Sequence, residues 1–122
     1  MRLPDTYSTD INDDIEYSRS IADLKIWIFN HLDDRHSLRT LSTRARMSTT
    51  RMQRLFKSAY GCSVFTYIRF ERLARAQRQL EVTAMNIKSI SAGAGYSSVP
   101  AFTAAFHSTF GDTPGKFRKG IR

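Results

Sequence analysis

An all-α fold of about seven helices, arranged as two similar subdomains joined by one long helix, is what the sequence predicts. Three observations lead there. Apolar residues recur at helical spacing along most of the chain, with only three prolines and few β-branched alternations to feed a sheet. The frame Phe-x3-aromatic-Gly-x5-aromatic occurs twice, as Phe56, Tyr60, Gly61, Tyr67 and as Phe106, Phe110, Gly111, Phe117. A chain of 122 residues suffices for one compact domain or for two very small subdomains sharing an element.

The elements follow in order. Residues 1–16 are polar and acidic and include Pro4, which predicts a flexible arm or linker remnant. Ile21, Leu24, Ile28 and Leu32 then recur at helical spacing, widened by Trp27 and Phe29, so an amphipathic helix should end near Leu32. Trp27 reads as a core anchor rather than a ligand platform. Ser37 is a candidate N-cap for a helix with Leu38, Leu41 and Ala45 on one face. A break at Arg46-Met47 leads to Ser48, which caps a helix running to Tyr60 and stopped by Gly61. A long helix over 64–80 comes next, then a short one from Ile87, another from Ser98 to Phe110, and a last turn or two after Pro114. The expected division is 17–80 for the first subdomain with its linker helix and 81–122 for the second.

The repetition extends beyond the aromatic frame. Leu41 and Ala45 correspond to Ile90 and Ala94 at an offset of 49, while Ser48 onward corresponds to Ser98 onward at 50, so one residue has been added in the second copy. Each copy is a short helix, a tight turn and a serine-capped second helix: a helix-turn-helix, whose second helix can enter a DNA major groove. At about 100° per residue, Met52, Leu55, Phe56 and Ala59 face the core of copy one, leaving Thr50, Gln53, Arg54 and Lys57 outward. That outward face supplies a hydroxyl, an amide suited to adenine N6/N7 and a guanidinium suited to guanine O6/N7 or phosphate. In copy two Phe102, Ala105, Phe106 and Thr109 take the core side, and Pro100, Thr103, Ala104 and His107 point outward. Copy one should therefore carry most direct base readout. Copy two is left with thymine-methyl contacts, phosphate contacts through the Ser98 helix end, or shape reading. On the linking helix Arg69, Arg72, Arg75 and Arg78 drift by about 60° per step, so only one or two should reach phosphate.

Charge narrows the partner. Residues 1–36 hold eight acids against four bases, a net −4, whereas residues 37–122 hold fifteen bases against three acids, a net +12. Such a basic body attracts a polyanion, with nucleic acid the leading candidate, double-stranded DNA being the expected partner, and an anionic membrane surface the other. No apolar run approaches the roughly 20 residues of a membrane span, so no membrane partner is expected. Chemistry is excluded by what is missing: one cysteine and three scattered histidines give no metal spacing, no nucleophile-base pair is suggested, and "GAGY" lacks the strand context of a phosphate loop. No cofactor, no metal and no enzymatic activity are expected.

The segment from Ser37 to Arg118 resembles the DNA-binding domain of the AraC/XylS family of bacterial transcription regulators, through "RLFK", "YIRFERLARA", "GYSS" and "FHSTFGDTPGKFR" at these separations. The resemblance implies seven helices in two helix-turn-helix subdomains bridged by a long helix, reading two adjacent major-groove segments. It puts base contacts on Thr50, Arg51, Gln53 and Arg54, and on Val99, Pro100, Thr103 and Ala104. Phosphate contacts are expected from Ser48, Lys57, Arg69, Arg72, Ser98, His107 and Lys116. Two departures stand out. Many relatives carry arginine where this chain has Ala104, and glycine where it has Arg46; a non-glycine residue in a left-handed turn costs roughly 1 kcal/mol. A sensing or dimerisation domain, usual in the family, does not fit in residues 1–36 and is expected to be absent from this chain. The expected function is a sequence-specific regulator of the bacterial cytoplasm, bound at the nucleoid, activating transcription with RNA polymerase as a further partner. The competing reading is a non-specific architectural nucleic-acid-binding protein using only its basic body.

Overall fold

The computed structural model describes residues 3–121, with side chains from Ile15 onward, and among these residues there are seven helices and no strand. They are α1 (Leu3–Phe29), α2 (Leu38–Ala45), α3 (Thr49–Tyr60), α4 (Val64–Val82), α5 (Ile87–Gly93), α6 (Val99–Phe110) and α7 (Pro114–Ile121). The backbone is already helical from Leu3, so α1 takes in most of the segment expected as an arm. Pro4 permits this because the first turn of a helix has no intrahelical use for the N–H that proline lacks.

Six of these helices open on a short polar side chain that accepts a backbone N–H three residues on. The caps are Ser37, Ser48, Ser63, Asn86, Ser98 and Thr113, at 2.8 to 3.3 Å. Each such cap is worth about 1 kcal/mol, so local chemistry alone fixes where α2 to α7 begin. Ser37 and Thr40 reciprocate as a capping box.

By packing, the chain divides into two compact units, one ending at Tyr67 and the other beginning at Ile68, inside α4. In the first, α1 packs on α2 and α3, and α2 on α3. Its buried side chains include Ile21, Leu24, Ile28, Leu32, Leu41, Met52 and Phe56. In the second, α6 packs on α5 and α7. Leu73, Ala76, Leu80, Ile90, Ala94, Phe102 and Phe106 form one buried cluster there, flanked by Ile87, Tyr96, Phe110 and Phe117.

The repeated aromatic frame is the same three-ring cluster built twice. Phe56 meets Tyr60 at 4.9 Å and Tyr67 at 5.6 Å between ring centroids. In the second unit Phe106 meets Phe110 at 4.8 Å and Phe117 at 5.7 Å. In both, the central phenylalanine is fully buried and the rings are inclined by 53° to 63°, the tilted geometry that aromatic quadrupoles prefer. Gly61 and Gly111 close the helices at φ 78° and 83°, donating to Lys57 O and His107 O, both at 2.8 Å.

The two turns also match. Met47 N donates to Ser42 O and Arg46 N to Thr43 O, while Tyr96 N donates to Ser91 O and Gly95 N to Ala92 O. This is the Schellman closure, whose pivot residue must be left-handed. The pivots are Arg46 at φ 58° and Gly95 at φ 92°. The added residue of the second copy therefore lies after the pivot: Met47 alone separates Arg46 from Ser48, but Tyr96 and Ser97 separate Gly95 from Ser98. Buried Ser42 and Ser91, at the same offset, each donate to the carbonyl three residues back, at 3.1 and 3.0 Å.

Two expectations fail in the same way. Ala59 and Thr109, assigned to core faces, are exposed. In the last turn of each second helix the covering is done by the ring of Tyr60 or Phe110 folding back on its neighbour, and the small side chain beside it is left outside. Helix α1 ends at Phe29 rather than Leu32, after which a turn carries Leu32 into the core.

Candidate nucleic-acid interface

Helix α3 is held at both ends, by Ser48 and by Gly61, and is anchored by fully buried Met52 and Phe56. With its core side fixed, the opposite face carries exposed Thr50, Gln53, Arg54 and Lys57, and Ser48 is exposed at its start. Their backbone positions are therefore set by a rigid support, a requirement for reading base edges. Arg51 is placed differently. It is half-buried, with its guanidinium carbon 4.4 Å from the Tyr17 ring centre, a cation–π contact to α1. Tyr17 escaped the sequence reading, although it extends the Ile21, Leu24, Ile28 stripe by one more helical step toward the N-terminus.

Helix α6 has the same supports, Ser98 and Gly111, with Phe102 and Phe106 fully buried. Pro100, Ala104 and His107 are exposed and Val99 and Thr103 half-buried. Together with Thr113 they line an open depression of about 610 Å³. Its lining is mostly carbon, in contrast to the amide, guanidinium and ammonium of α3. Ser98 Oγ accepts from Ala101 N at 3.2 Å, and Pro100 removes one of the N–H groups that a helix start otherwise offers an anion. Lys116, in the first turn of α7, is exposed.

The arginines of α4 separate as their spacing requires. Arg69 and Arg78 are exposed. Arg75 donates from Nη2 to Gly93 O at 2.8 Å, and Arg72 lies against the Gly95 turn, its Nη1 3.5 Å from where a β-carbon on Gly95 would stand. That is ordinary contact, so position 95 needs glycine for its backbone angle rather than for space. Beside them, burial pushes the pKa of the Tyr96 phenol up from the ordinary 10.0, and the positive charges of Arg69 and Arg72 partly offset the rise. The Tyr96 hydroxyl is buried without a hydrogen-bond partner among the described residues.

Other chemistry-bearing groups serve structure. Trp27 stacks on His31 at 4.2 Å and lies under Arg44 at 4.9 Å. The His31 imidazole shares a hydrogen bond with Trp27 O at 2.7 Å, and that of His36 with His31 O at 2.8 Å. Among the described residues no group of three His, Cys, Asp or Glu could hold a metal ion, and no helix is long and apolar enough to cross a membrane.

Two doubly capped hairpins, each presenting the outer face of its second helix, define a helix-turn-helix protein. Residues 41–120 match the family described as "Helix-turn-helix domain", and the chain belongs to the AraC/XylS family of regulators, carrying its DNA-binding domain. Over 99 residues it is 36% identical to the Right origin-binding protein of Escherichia coli (strain K12), an alignment covering 81% of this chain and 34% of that one. It is 29% identical over 104 residues to Regulatory protein SoxS of the same organism, covering 85% of this chain and 97% of SoxS. A solved structure of the AdpA DNA-binding domain, in complex with a target DNA, matches with a TM-score of 0.77 at 27% identity, over 84% of this chain and 92% of that one. The chain thus spans only 34% of the length of the Right origin-binding protein. The relatives named are an origin-binding protein, a regulatory protein and the DNA-binding domain of a transcriptional factor.

Proposed function

We propose that the chain is a sequence-specific DNA-binding transcription regulator of the bacterial cytoplasm, laying α3 and α6 in two adjacent major-groove segments. One observation carries this reading. The same ring cluster and the same caps support two second helices, and on each the residues left outward are those a groove would meet. On α3, Gln53 suits adenine, Arg54 suits guanine and Thr50 supplies a hydroxyl. Arg51 joins them on leaving the Tyr17 ring. On α6 the base-facing set is Val99, Pro100, Thr103 and Ala104. Ser48, Lys57, Arg69, Arg72, Ser98, His107 and Lys116 are the phosphate set, which fixes register without reading sequence. The names of relatives support the regulatory role: SoxS is a regulatory protein, and AdpA is described as a global transcriptional factor. Activation through contact with RNA polymerase completes the proposal.

The net +12 of residues 37–122 favours a second reading, a non-specific architectural binder. Selecting sites from a random duplex pool, then comparing a selected site with its scrambled version at fixed salt, separates the two. The regulator reading expects a preference of about 10³-fold or more. Equal affinities would leave only the architectural one.

A further inference from the structure

The geometry points to a chemical identity for what α6 reads: the 5-methyl groups of thymine, in the half-site that this helix faces. The inference rests on the proposed DNA-binding role and specifies it. The outward face of α6 has lost the amide and the guanidinium that α3 presents, keeping the Thr103 hydroxyl and the His107 imidazole as its hydrogen-bonding groups. Ala104 stands where α3 has Arg54, Thr103 where it has Gln53, and Pro100 where it has Thr50. The depression formed by Val99, Pro100, Thr103, Ala104, His107 and Thr113 is walled mostly by carbon, with hydroxyls and an imidazole as the minor polar part. The Thr113 hydroxyl is engaged in capping α7, accepting from Lys116 N at 3.3 Å. Pro100 has no N–H to offer the duplex. An apolar surface on a groove-facing helix has a single apolar counterpart on the base edges of the major groove, the thymine methyl. Exposed Lys116, close to Thr113 in sequence, adds positive charge for the phosphates that bracket such a step.

The test keeps the base pair and removes the methyl. After site selection, the half-site read by α6 is identified as the one whose base preference changes in Ala104→Arg. Each thymine in that half is then replaced by deoxyuridine, and binding is measured at fixed salt. Loss of an effective methyl contact should weaken binding about fourfold. At the same positions 5-methylcytosine should replace thymine better than cytosine does, because the surface reads the methyl and little else. Thr103→Val, which keeps the γ-methyl, should preserve the thymine-to-uracil ratio, and Thr103→Ser, which removes it, should shrink that ratio. Circular dichroism confirms that each variant is folded. Should uracil be bound as well as thymine within a tightly held selected site, the methyl assignment is overturned while the regulator reading survives. An Ala104→Arg variant with an unchanged preference everywhere would overturn the assignment too. If no selected site outcompetes scrambled duplex, it is the regulator reading that fails.

Discussion

Arg46 holds a left-handed backbone at φ 58° and ψ 42°, a conformation that crowds a β-carbon against the carbonyl following it. Gly95 closes the equivalent turn of the second copy without that cost. Arg46 is exposed, so little side-chain packing offsets the strain. Arg46→Gly is therefore expected to raise stability by up to about 1 kcal/mol, the extra freedom glycine gives the unfolded chain offsetting part of the relieved strain, as read by urea unfolding. A destabilised variant would mean that the arginine makes a contact worth more than its backbone strain. Tyr96 makes a second case at this scale. Its hydroxyl is buried and unpaired, so Tyr96→Phe should cost nothing at neutral pH and should bring a small gain. The pH dependence has a definite sign. Because the folded state holds the phenol proton above the ordinary value of 10.0, the unfolded chain ionises first as pH rises. Stability from this residue is thus complete below pH 10.0 and is lost above it. Tyr96→Phe should lose less stability than the parent over that alkaline range, measured by thermal melts at stepped pH. On the reading face, Arg54→Ala should cost about 1 to 3 kcal/mol of binding and relax preference at one base, seen by comparing selected sites for the two proteins. An unchanged profile would remove Arg54 from the base-contacting set.

Among the elements, α7 is the one whose anchor was least visible. Arg118 forks from α7 onto the end of α4 and the loop beyond it, donating to Leu80 O at 3.2 Å, Met85 O at 2.6 Å and Thr83 O at 3.3 Å. Leu80 O is among the carbonyls that the end of α4 leaves unsatisfied, the other two belong to the loop, and a planar guanidinium meets several at once where an ammonium cannot. Arg118→Lys should destabilise the chain by about 1 to 2 kcal/mol, with urea midpoints as the readout. The sequence showed the helices themselves clearly, because Ser37, Ser48 and Ser98 announce starts and Gly61 announces a stop by chemistry local to each. It showed the outward faces of α3 and α6 for the same reason: helical phase follows from spacing alone. What it hid depends on contacts made across long separations. The contact of Arg51 with the Tyr17 ring was hidden, because nothing near Arg51 in sequence names Tyr17 as its partner. Helical phase left the fate of Arg75 open, and it bonds a backbone carbonyl eighteen residues away. Ala59 and Thr109 were misplaced because phase says which side a residue is on, not whether anything covers it there.

For the molecule as a whole, the charge asymmetry sets the character of binding. The acidic stretch of residues 1–36 belongs largely to α1 and the turn after it, whereas the excess of positive charge lies in residues 37–122. Association should therefore weaken steeply with salt, each phosphate neutralised contributing about −0.9 to the slope of log affinity against log salt. Lys57→Ala and Lys116→Ala should each reduce that slope by about 0.9 and leave the selected consensus unchanged. A shifted consensus would move either lysine into the base-reading set. The doubled ring cluster has one more consequence. Because Phe56 and Phe106 sit in matching supports, positions 50, 53, 54 and 57 have ready counterparts at 100, 103, 104 and 107. A surface graft from one helix to the other would leave both foundations untouched, so the taste of one module could be handed to its sibling, and the chain made to prefer a tandem repeat.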